Sequence, residues 1–452
     1  MSGQVVESAH TSLPPELTDN IIDLLCLDKK SLSSCALVCR SWVPTSRRYL
    51  FSYVALRPDN SLNEFLGFIA KDDIDPWLGH PVSGFIQHVQ IATPSPRLPG
   101  FRRSVLTTDI VNSLLSILPN LLHLHLMHIE LCWLSPLDPD NETVIDRPIH
   151  LESLKLSFVT CPTLIDFVYS LSLFSSIKLL HMSKIKIPMV VRRGVQLVVV
   201  HHPSLSGEES HFPSHLKISS IEYSNCPETP PSLLASITKT ASVETLVDVA
   251  FLCDGESEVN RMGIRCSYAR SLVRVFIKFG NTSLGHLTIP ISLAAGHLPS
   301  RVLQRFNLTA CTTLKNITLR MTTIRRYFDL DHDISWGFFP AAAELLSLVP
   351  PSVKTVTLVI LIGGTCQLLN KFLEVIAESK LLQSAIGQKQ GVFEFHIHLT
   401  ELEAMDLGIR KRREGEEELC RVIRSQLCKG IQSQLAELDA QGISLTLSCD
   451  DG

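Results

Sequence analysis

The chain has 452 residues, of which 45% are hydrophobic and 19% charged, so it can bury a large core and is not disordered over most of its length. Its formal net charge of −4 provides no strong positive field for holding nucleic acid or an anionic membrane. The 13 cysteines are an odd number and include no CxxC pair, which favours free thiols in a reducing compartment. No apolar run reaches the roughly 18 residues that a membrane span needs.

Three short helices are predicted at the amino end. Two prolines at residues 14 and 15 suit the first turn of a helix, where a missing N–H costs nothing. Apolar residues then recur at spacings of three and four, which places them on one helix face: Leu17, Ile21, Leu24 and Leu25. Asp28 is a candidate N-cap for the second helix. Such a module has more apolar residues than its own core needs, so the surplus packs on the rest of the chain or marks a partner site.

This stretch resembles the F-box. The resemblance is in the L-P-x-E-L run from Leu13 to Leu17, the apolar residues at helical spacing, and the Leu-Val-Cys-Arg-Ser-Trp run that ends at Trp42. Residues 47–56 look like the tail of F-box-like domains in the large fungal families. Pro44 departs from the family pattern, and the third helix is therefore either kinked or begins later than usual.

The resemblance implies a three-helix module that docks on a Skp-type adaptor, which in turn binds a cullin–RING ubiquitin ligase. It implies that the surplus apolar side chains face the adaptor. The residues predicted to contact it are Leu13, Pro14, Leu17, Ile21, Ile22, Leu32, Leu37, Val38 and Trp42.

Beyond residue 56, a hexad of the form apolar-x-x-apolar-x-apolar keeps returning. It begins at Ile86, Leu121, Leu151, Ile177, Ile218, Leu284, Leu314 and Val353, and a segment from Val243 partly fills the longest interval. A strand with a helical return, repeated in this way, is typical of a leucine-rich-repeat-like solenoid with one continuous core. The alternative is a set of unrelated strands in an α/β sheet.

Alternate positions of each hexad should face opposite sides of the strands. One set is predicted to point into the core: Leu124, Leu126, Leu154, Leu156, Leu287, Ile289, Ile317, Leu319, Val356 and Leu358. The other set is predicted to line a concave face that binds a target protein: His123, His125, Lys155, His181, Glu222, His286, Thr288, Asn316, Thr318 and Arg320. Recognition by the convex side or by loops is the alternative.

The expected organisation is α/β, with an F-box-like helical module at 11–56, a connecting segment at 57–84, a degenerate leucine-rich-repeat solenoid at 85–400 and a cap at 401–452. The cap consists of an amphipathic helix between Leu419 and Leu438 and a strand from Gly442. The basic run at Arg410 is either a solvated loop or a nuclear import signal.

No common phosphate-binding, dinucleotide-binding, nucleophile-elbow or zinc-protease motif occurs, which lowers the expectation of enzyme activity. The pairs His123 with His125 and His396 with His398 are better explained as exposed sheet histidines than as metal ligands. No cofactor, metal, nucleic acid or membrane is expected.

By resemblance, the predicted function is that of the substrate-recruiting subunit of an SCF-type ubiquitin ligase, which performs no bond chemistry itself. The alternatives are an F-box scaffold that directs no ubiquitination and a solenoid-like enzyme. The amino terminus has no basic segment followed by an apolar one, so no signal peptide is predicted and a cytoplasmic or nuclear location is expected.

Overall fold

The computed structural model describes residues 13–58, 60–72, 81–93, 104–132, 148–162, 164–187, 213–224, 240–252, 283–290, 311–322, 338–362, 394–401 and 444–449, with single residues at 237, 308, 425 and 429. The chain divides into two compact units, unit 1 from Met1 to Lys155 and unit 2 from Leu156 to Gly452. That division falls inside the predicted repeat region. The predicted helix between Leu419 and Leu438 and the basic run at Arg410 lie largely outside the described residues.

Unit 1 begins with three helices and continues with parallel strands. The helices are α1 (Pro15–Leu24), α2 (Lys29–Val38) and α3 (Val43–Phe51), followed by α4 (Asn60–Asp72) and α5 (Thr108–Ile117). The strands are β1 (Tyr53–Leu56), β2 (His88–Ala92), β3 (Ser104–Thr107), β4 (His123–Met127) and β5 (Ile129–Cys132), and β6 (His150–Ser157) contains the division between the units. β1, β2 and β4 pair in parallel, and β3 pairs with β5 in parallel.

Unit 2 is built from parallel strands with helices between them. Its helices are α6 (Leu164–Ser172), α7 (Ser242–Thr245) and α8 (Phe338–Ser347). Its strands are β7 (Ser176–Ser183), β8 (Lys217–Ser224), β9 (Asp248–Leu252), β10 (His286–Pro290), β11 (Asn316–Thr322), β12 (Thr355–Ile362), β13 (Glu394–Glu401) and β14 (Ser444–Cys449), and they pair in that order. The predicted α/β class with parallel pairing of the hexad strands is therefore confirmed within each unit.

The hexads supply the core on one side of the strands. All ten side chains predicted to point inward are buried, with 0% to 3% of their surface exposed: Leu124, Leu126, Leu154, Leu156, Leu287, Ile289, Ile317, Leu319, Val356 and Leu358. In the longest interval the hexad proves to be Leu246–Phe251, because Leu246, Val249 and Phe251 are all buried and β9 begins at Asp248. A leucine buried in this way stabilises the fold by roughly 1.5–3 kcal/mol relative to exposure.

Several hexad strands share one pattern of backbone hydrogen bonds to the preceding strand, which is seen first in unit 1. The backbone N–H groups of Gln87 and His88 both donate to the carbonyl of Ser52, at 3.1 and 2.8 Å. One strand further on, the N–H groups of Leu122 and His123 both donate to the carbonyl of Gln87, each at 2.9 Å. One carbonyl thus accepts two successive N–H groups where each new strand begins.

The same paired donation recurs in unit 2. The N–H groups of Gly285 and His286 both donate to the carbonyl of Val247, at 2.8 and 3.0 Å, and those of Lys315 and Asn316 both donate to Gly285, at 2.9 and 3.0 Å. The paired donation therefore occurs at the same hexad position in both units.

The repeat extends past the hexad in three successive copies. Two further positions, three and five residues after the hexad's last apolar residue, are buried in each copy, and these residues are Ile129 and Leu131, Val159 and Cys161, and Ile185 and Ile187. The residue before each pair has a left-handed backbone, with φ of 57° at His128, 55° at Phe158 and 52° at Lys184. A bulky side chain costs free energy in that conformation, so we infer that packing, and not local preference, holds the bend after each of these strands.

Candidate functional site

The first three helices form a small module with its own polar ties. The hydroxyl of Thr45 in α3 donates to the carboxylate of Asp19 in α1 at 2.6 Å. The phenol of Tyr49, one turn later in α3, donates to Asp23 at 2.5 Å, and this hydrogen bond raises the pKa of Tyr49 above its ordinary value. Two contacts at helical spacing on each side fix α1 against α3.

The second helix begins where the sequence predicts. The carboxylate of Asp28 accepts the N–H groups of Lys30 and Ser31 at 3.1 and 3.2 Å, and also the hydroxyl of Ser31 at 2.6 Å. The hydrogen bonds from Ser31 are the main reason why the pKa of Asp28 lies below its ordinary value. Asp28 is therefore the N-cap of α2, as predicted.

The position of Pro44 resolves the question of the third helix. A short 3-10 turn covers Arg40–Trp42, and α3 begins at Val43, so Pro44 occupies the first helical turn. Proline is well tolerated there because the N–H it lacks has no partner inside the helix. The third helix therefore begins only after the 3-10 turn, at Val43, and Pro44 does not interrupt it.

The first two helices expose several large apolar side chains. Residues 13–38 contain seven of the twelve exposed large apolar side chains found among the described residues. We call this set the exposed apolar cluster, and it comprises Leu13, Leu17, Ile21, Leu24, Leu27, Leu37 and Val38. Leu24 and Leu37 each have 86% of their surface exposed and Leu27 has 95%. Single exposed leucines are ordinary, but several within one short stretch are typical of an interaction site.

The structure corrects part of the predicted adaptor set. Ile22 and Leu32 are fully buried in the core of the module, so their side chains are not part of the exposed cluster. Ile22 shares the inward face of α1 with Thr18, one turn earlier. Trp42 is half-buried. The other predicted residues are exposed, namely Leu13, Pro14, Leu17, Ile21, Leu37 and Val38.

A second candidate site is the polar face of the unit 1 strands. The rings of His88 and His123, on neighbouring strands, stack with centroids 4.1 Å apart and planes 9° from parallel. His123 Nδ1 shares a 2.9 Å hydrogen bond with the hydroxyl of Ser153 on β6. His125 lies on the same face two residues further along β4, and Lys155 is exposed on β6. We call this surface the unit 1 strand face.

Both stacked imidazoles resist protonation. Burial lowers the pKa of His88, and the neighbouring His123 lowers it further. Burial also lowers the pKa of His123, while Glu152 acts to raise it and Lys155 to lower it. A proton on either ring is disfavoured mainly because the ring loses water, and His88 also has a basic neighbour.

The polar face of the unit 2 strands has a different character, with carboxylates paired to imidazoles. His181 Nδ1 donates to the carboxylate of Glu222 at 2.9 Å. On the next strands, His286 Nδ1 lies 3.4 Å from Asp248 Oδ1, and His286 Nε2 shares a 3.0 Å hydrogen bond with the hydroxyl of Thr318. We call this surface the unit 2 strand face.

Asp248 is an acid of that face whose pKa is shifted. Burial raises the pKa of Asp248, and the charge of Glu222 adds to the effect, while His286 and Ser220 oppose it. Asn316 lies beside His286 in register, and Arg320 lies four residues further along the same strand. The predicted target-binding residues therefore share strand faces within each unit: His123, His125 and Lys155 in unit 1, and His181, Glu222, His286, Asn316 and Arg320 in unit 2.

Sequence reasoning missed four members of these sites. Leu24 was placed on the apolar face of the first helix but was not assigned to the adaptor contact. Leu27 lies between two helices, where no periodicity marks it. His88 precedes the second apolar residue of its hexad as His123 does, so the hexad could have identified it. Asp248 occupies the same hexad position in the interval whose register was not resolved from sequence.

Within the described parts of the chain, no group of three or more His, Cys, Asp or Glu side chains is arranged to hold a metal ion. None of the described helices combines the length and the apolar character that crossing a membrane requires. The sequence matches no model of a known protein family and no curated protein.

Proposed function

We propose that this protein is the substrate-recruiting F-box subunit of an SCF-type cullin–RING ubiquitin ligase. Its first three helices would bind a Skp-type adaptor, and its strand faces would bind a target protein. The observation that supports the proposal best is the exposed apolar cluster, because the helices turn these side chains outward although Ile22 and Leu32 already fill their core.

The cluster is well suited to a protein partner. Interface energy usually concentrates in a few apolar residues that become fully buried, and each buried leucine contributes roughly 1.5–3 kcal/mol. Several such residues within one small helical module provide enough for a stable complex. Left in water, the same residues would promote aggregation, which gives a further reason for a resident partner.

The repeat region would act as the target-binding platform. We propose that its strands belong to a leucine-rich-repeat-like solenoid, on the basis of the paired N–H donation at Ser52, Gln87, Val247 and Gly285. The faces of the strands are polar and mixed in charge, which suits a protein ligand better than nucleic acid. Recruitment would raise the local concentration of the target near the ubiquitin-charged enzyme, in the cytoplasm or nucleus and without a cofactor.

Adaptor affinity tests the proposal directly. We would titrate the purified full chain with a purified Skp-type adaptor by isothermal calorimetry. Replacing Leu13 and Pro14 together with alanine, or Leu24 and Leu37 together with alanine, should weaken binding about tenfold or more, since 1.4 kcal/mol is a factor of ten. Phe68→Ala is the matched control, because Phe68 is an exposed apolar residue of α4 outside the cluster.

The outcome distinguishes the proposal from its alternatives. If the wild-type chain does not bind the adaptor, or if the cluster variants bind as tightly as the control, the F-box assignment fails. If binding is confirmed, target turnover is compared in cells that express the wild type or the Leu24 and Leu37 variant. An equal rate of target turnover in the two cell lines would indicate a scaffold that directs no ubiquitination.

A further inference from the structure

The unit 1 strand face collects basic groups on one side of four strands. His88 lies in register with His123, and Gln90 lies in register with His125. Because Ser153 hydrogen bonds to His123, the strand alternation places Lys155, two residues after Ser153, beside His125. Three imidazoles and one ammonium group therefore share this face of the described strands.

A second ammonium group lies at the β1 end of this face. Lys29 Nζ donates to the backbone carbonyl of Tyr53 at 3.1 Å and lies 5.4 Å from the centre of the Tyr53 ring. Tyr53 is in register with His88, and its hydroxyl hydrogen bonds to Gln90. The row from Lys29 to Lys155 thus begins and ends with a permanent positive charge.

The basic side chains between Lys29 and Lys155 favour binding of an anion. The pKa of His88 is lowered in part by His123, and the pKa of His123 is lowered in part by Lys155, after burial in both cases. Glu152 is the carboxylate that acts on His123: its charge outweighs the effect of Lys155 but does not offset burial. A bound carboxylate close to the two rings would add to the effect of Glu152 and favour the charged imidazoles.

We propose that the unit 1 strand face binds a segment of the target protein that bears aspartate or glutamate side chains. The inference rests on the proposed function, because it names the chemistry of the recognised segment. Imidazoles and lysines donate single hydrogen bonds that suit separate carboxylates. β1, β2, β4 and β6 contain no arginine, the residue whose planar fork matches a phosphate best.

Recognition by this face is coupled to protonation. A carboxylate beside His88 or His123 favours the charged imidazole, so the complex takes up protons when it forms. Affinity should therefore rise as the pH falls from 8 to 6. Aspartate and glutamate remain ionised throughout that window because their ordinary pKa values lie near about 4.

Fluorescence anisotropy with the full chain tests the inference. The probe is fluorescein-labelled hexaglutamate, compared with hexaglutamine, hexalysine and a peptide of phosphoserines, at pH 8, 7 and 6. Hexaglutamate should bind best, and several-fold more tightly at pH 6 than at pH 8. Lys155→Gln and His123→Gln should each weaken binding about three- to fivefold, as expected for one charge contact near the surface. Lys217→Gln and His215→Gln are the matched controls, because both residues are exposed, lie in unit 2 and are outside the predicted target-binding set.

Two readouts separate failure of this inference from failure of the proposed function. Histidine-selective NMR should show that the pKa values of His88 and His123 rise as hexaglutamate is added up to a concentration that saturates binding. Adaptor binding is measured on the same preparations. If the adaptor binds while hexaglutamate binds no better than hexaglutamine, or if Lys155→Gln matches its control, the inference is wrong and the F-box proposal stands. Tighter binding of the phosphoserine peptide would overturn the choice of carboxylate.

Discussion

The phenol hydroxyl of Tyr49 donates a 2.5 Å hydrogen bond to the carboxylate of Asp23, and this contact ties the third helix to the first. Together with the bond from Thr45 to Asp19, it sets the angle at which α1 presents its outer face. The exposed apolar cluster therefore depends on two polar contacts for its shape.

Tyr49→Phe should lower the stability of the helical module by about 1 kcal/mol, the typical value for one hydrogen bond. Because folding raises the pKa of Tyr49, the hydrogen bond contributes its full stabilisation below the ordinary phenol pKa of about 10. The stabilisation is lost as the pH rises through the higher pKa of the folded protein. Hydrogen exchange of α1 amides measures the change. Equal exchange in the wild type and Tyr49→Phe would contradict it.

Two neighbouring positions of α1 should respond to truncation in opposite ways. Ile22→Ala leaves a cavity in the core and should destabilise the protein by about 2–4 kcal/mol. Leu24→Ala, two residues later, removes a side chain that is 86% exposed and should change stability by less than about 0.5 kcal/mol. Chemical denaturation of both variants tests the assignment of inner and outer faces, and a comparable loss at Leu24 would show that the cluster packs inside the chain.

The left-handed residue Lys184 should prefer glycine to alanine. Its Nζ lies 4.5 Å from the centre of the Phe158 ring, and both substitutions lose that contact. Only alanine must still adopt a φ of 52°, so Lys184→Gly should be more stable than Lys184→Ala by about 1 kcal/mol. Thermal unfolding of the pair tests this, since glycine is normally the less stable of the two at ordinary backbone angles. An advantage for alanine would contradict the left-handed assignment.

The stacked histidines predict a pH dependence of stability. A histidine whose pKa is lowered by folding binds protons less readily in the folded than in the unfolded chain. The free energy of unfolding is therefore unaffected by these two histidines above their ordinary pKa of about 6.5, and it falls as the pH drops below that value. The double variant with His88→Gln and His123→Gln should lose less stability between pH 7 and pH 5 than the wild type does. Identical pH profiles, measured by urea denaturation, would count against the described environment of the two rings.

Local signals in the sequence were sufficient for much of this fold. Asp28 was predicted as an N-cap because its interaction with Ser31 spans only three residues. The hexad strands were predicted because apolar alternation records directly which side is buried. Leu17, Ile21 and Leu24 were correctly placed on one helix face, but periodicity alone does not state whether that face points inward, and here the buried side chain is Ile22.

What the sequence did not reveal depends on contacts between distant residues. The stack of His88 on His123 requires the register of two strands that are 35 residues apart in the chain. The left-handed turns at Phe158 and Lys184 have none of the glycine or asparagine that usually marks them, because packing holds them in place. The short pairing of β3 with β5 likewise joins residues that are 25 positions apart in the chain, as Ser104 and Ile129 are.

The paired N–H donation has a consequence for how such a protein can vary. Each strand takes its place from a single carbonyl of the strand before it, as at Gln87 and Gly285. Nothing in that rule depends on the length of chain between the strands, so the connecting segments can lengthen, as between Ile177 and Ile218, while the next strand still pairs in register. Duplication or loss of a whole strand with its connection would preserve the rule too. Such a sheet could therefore change its extent one strand at a time while the helices at the amino end stay the same.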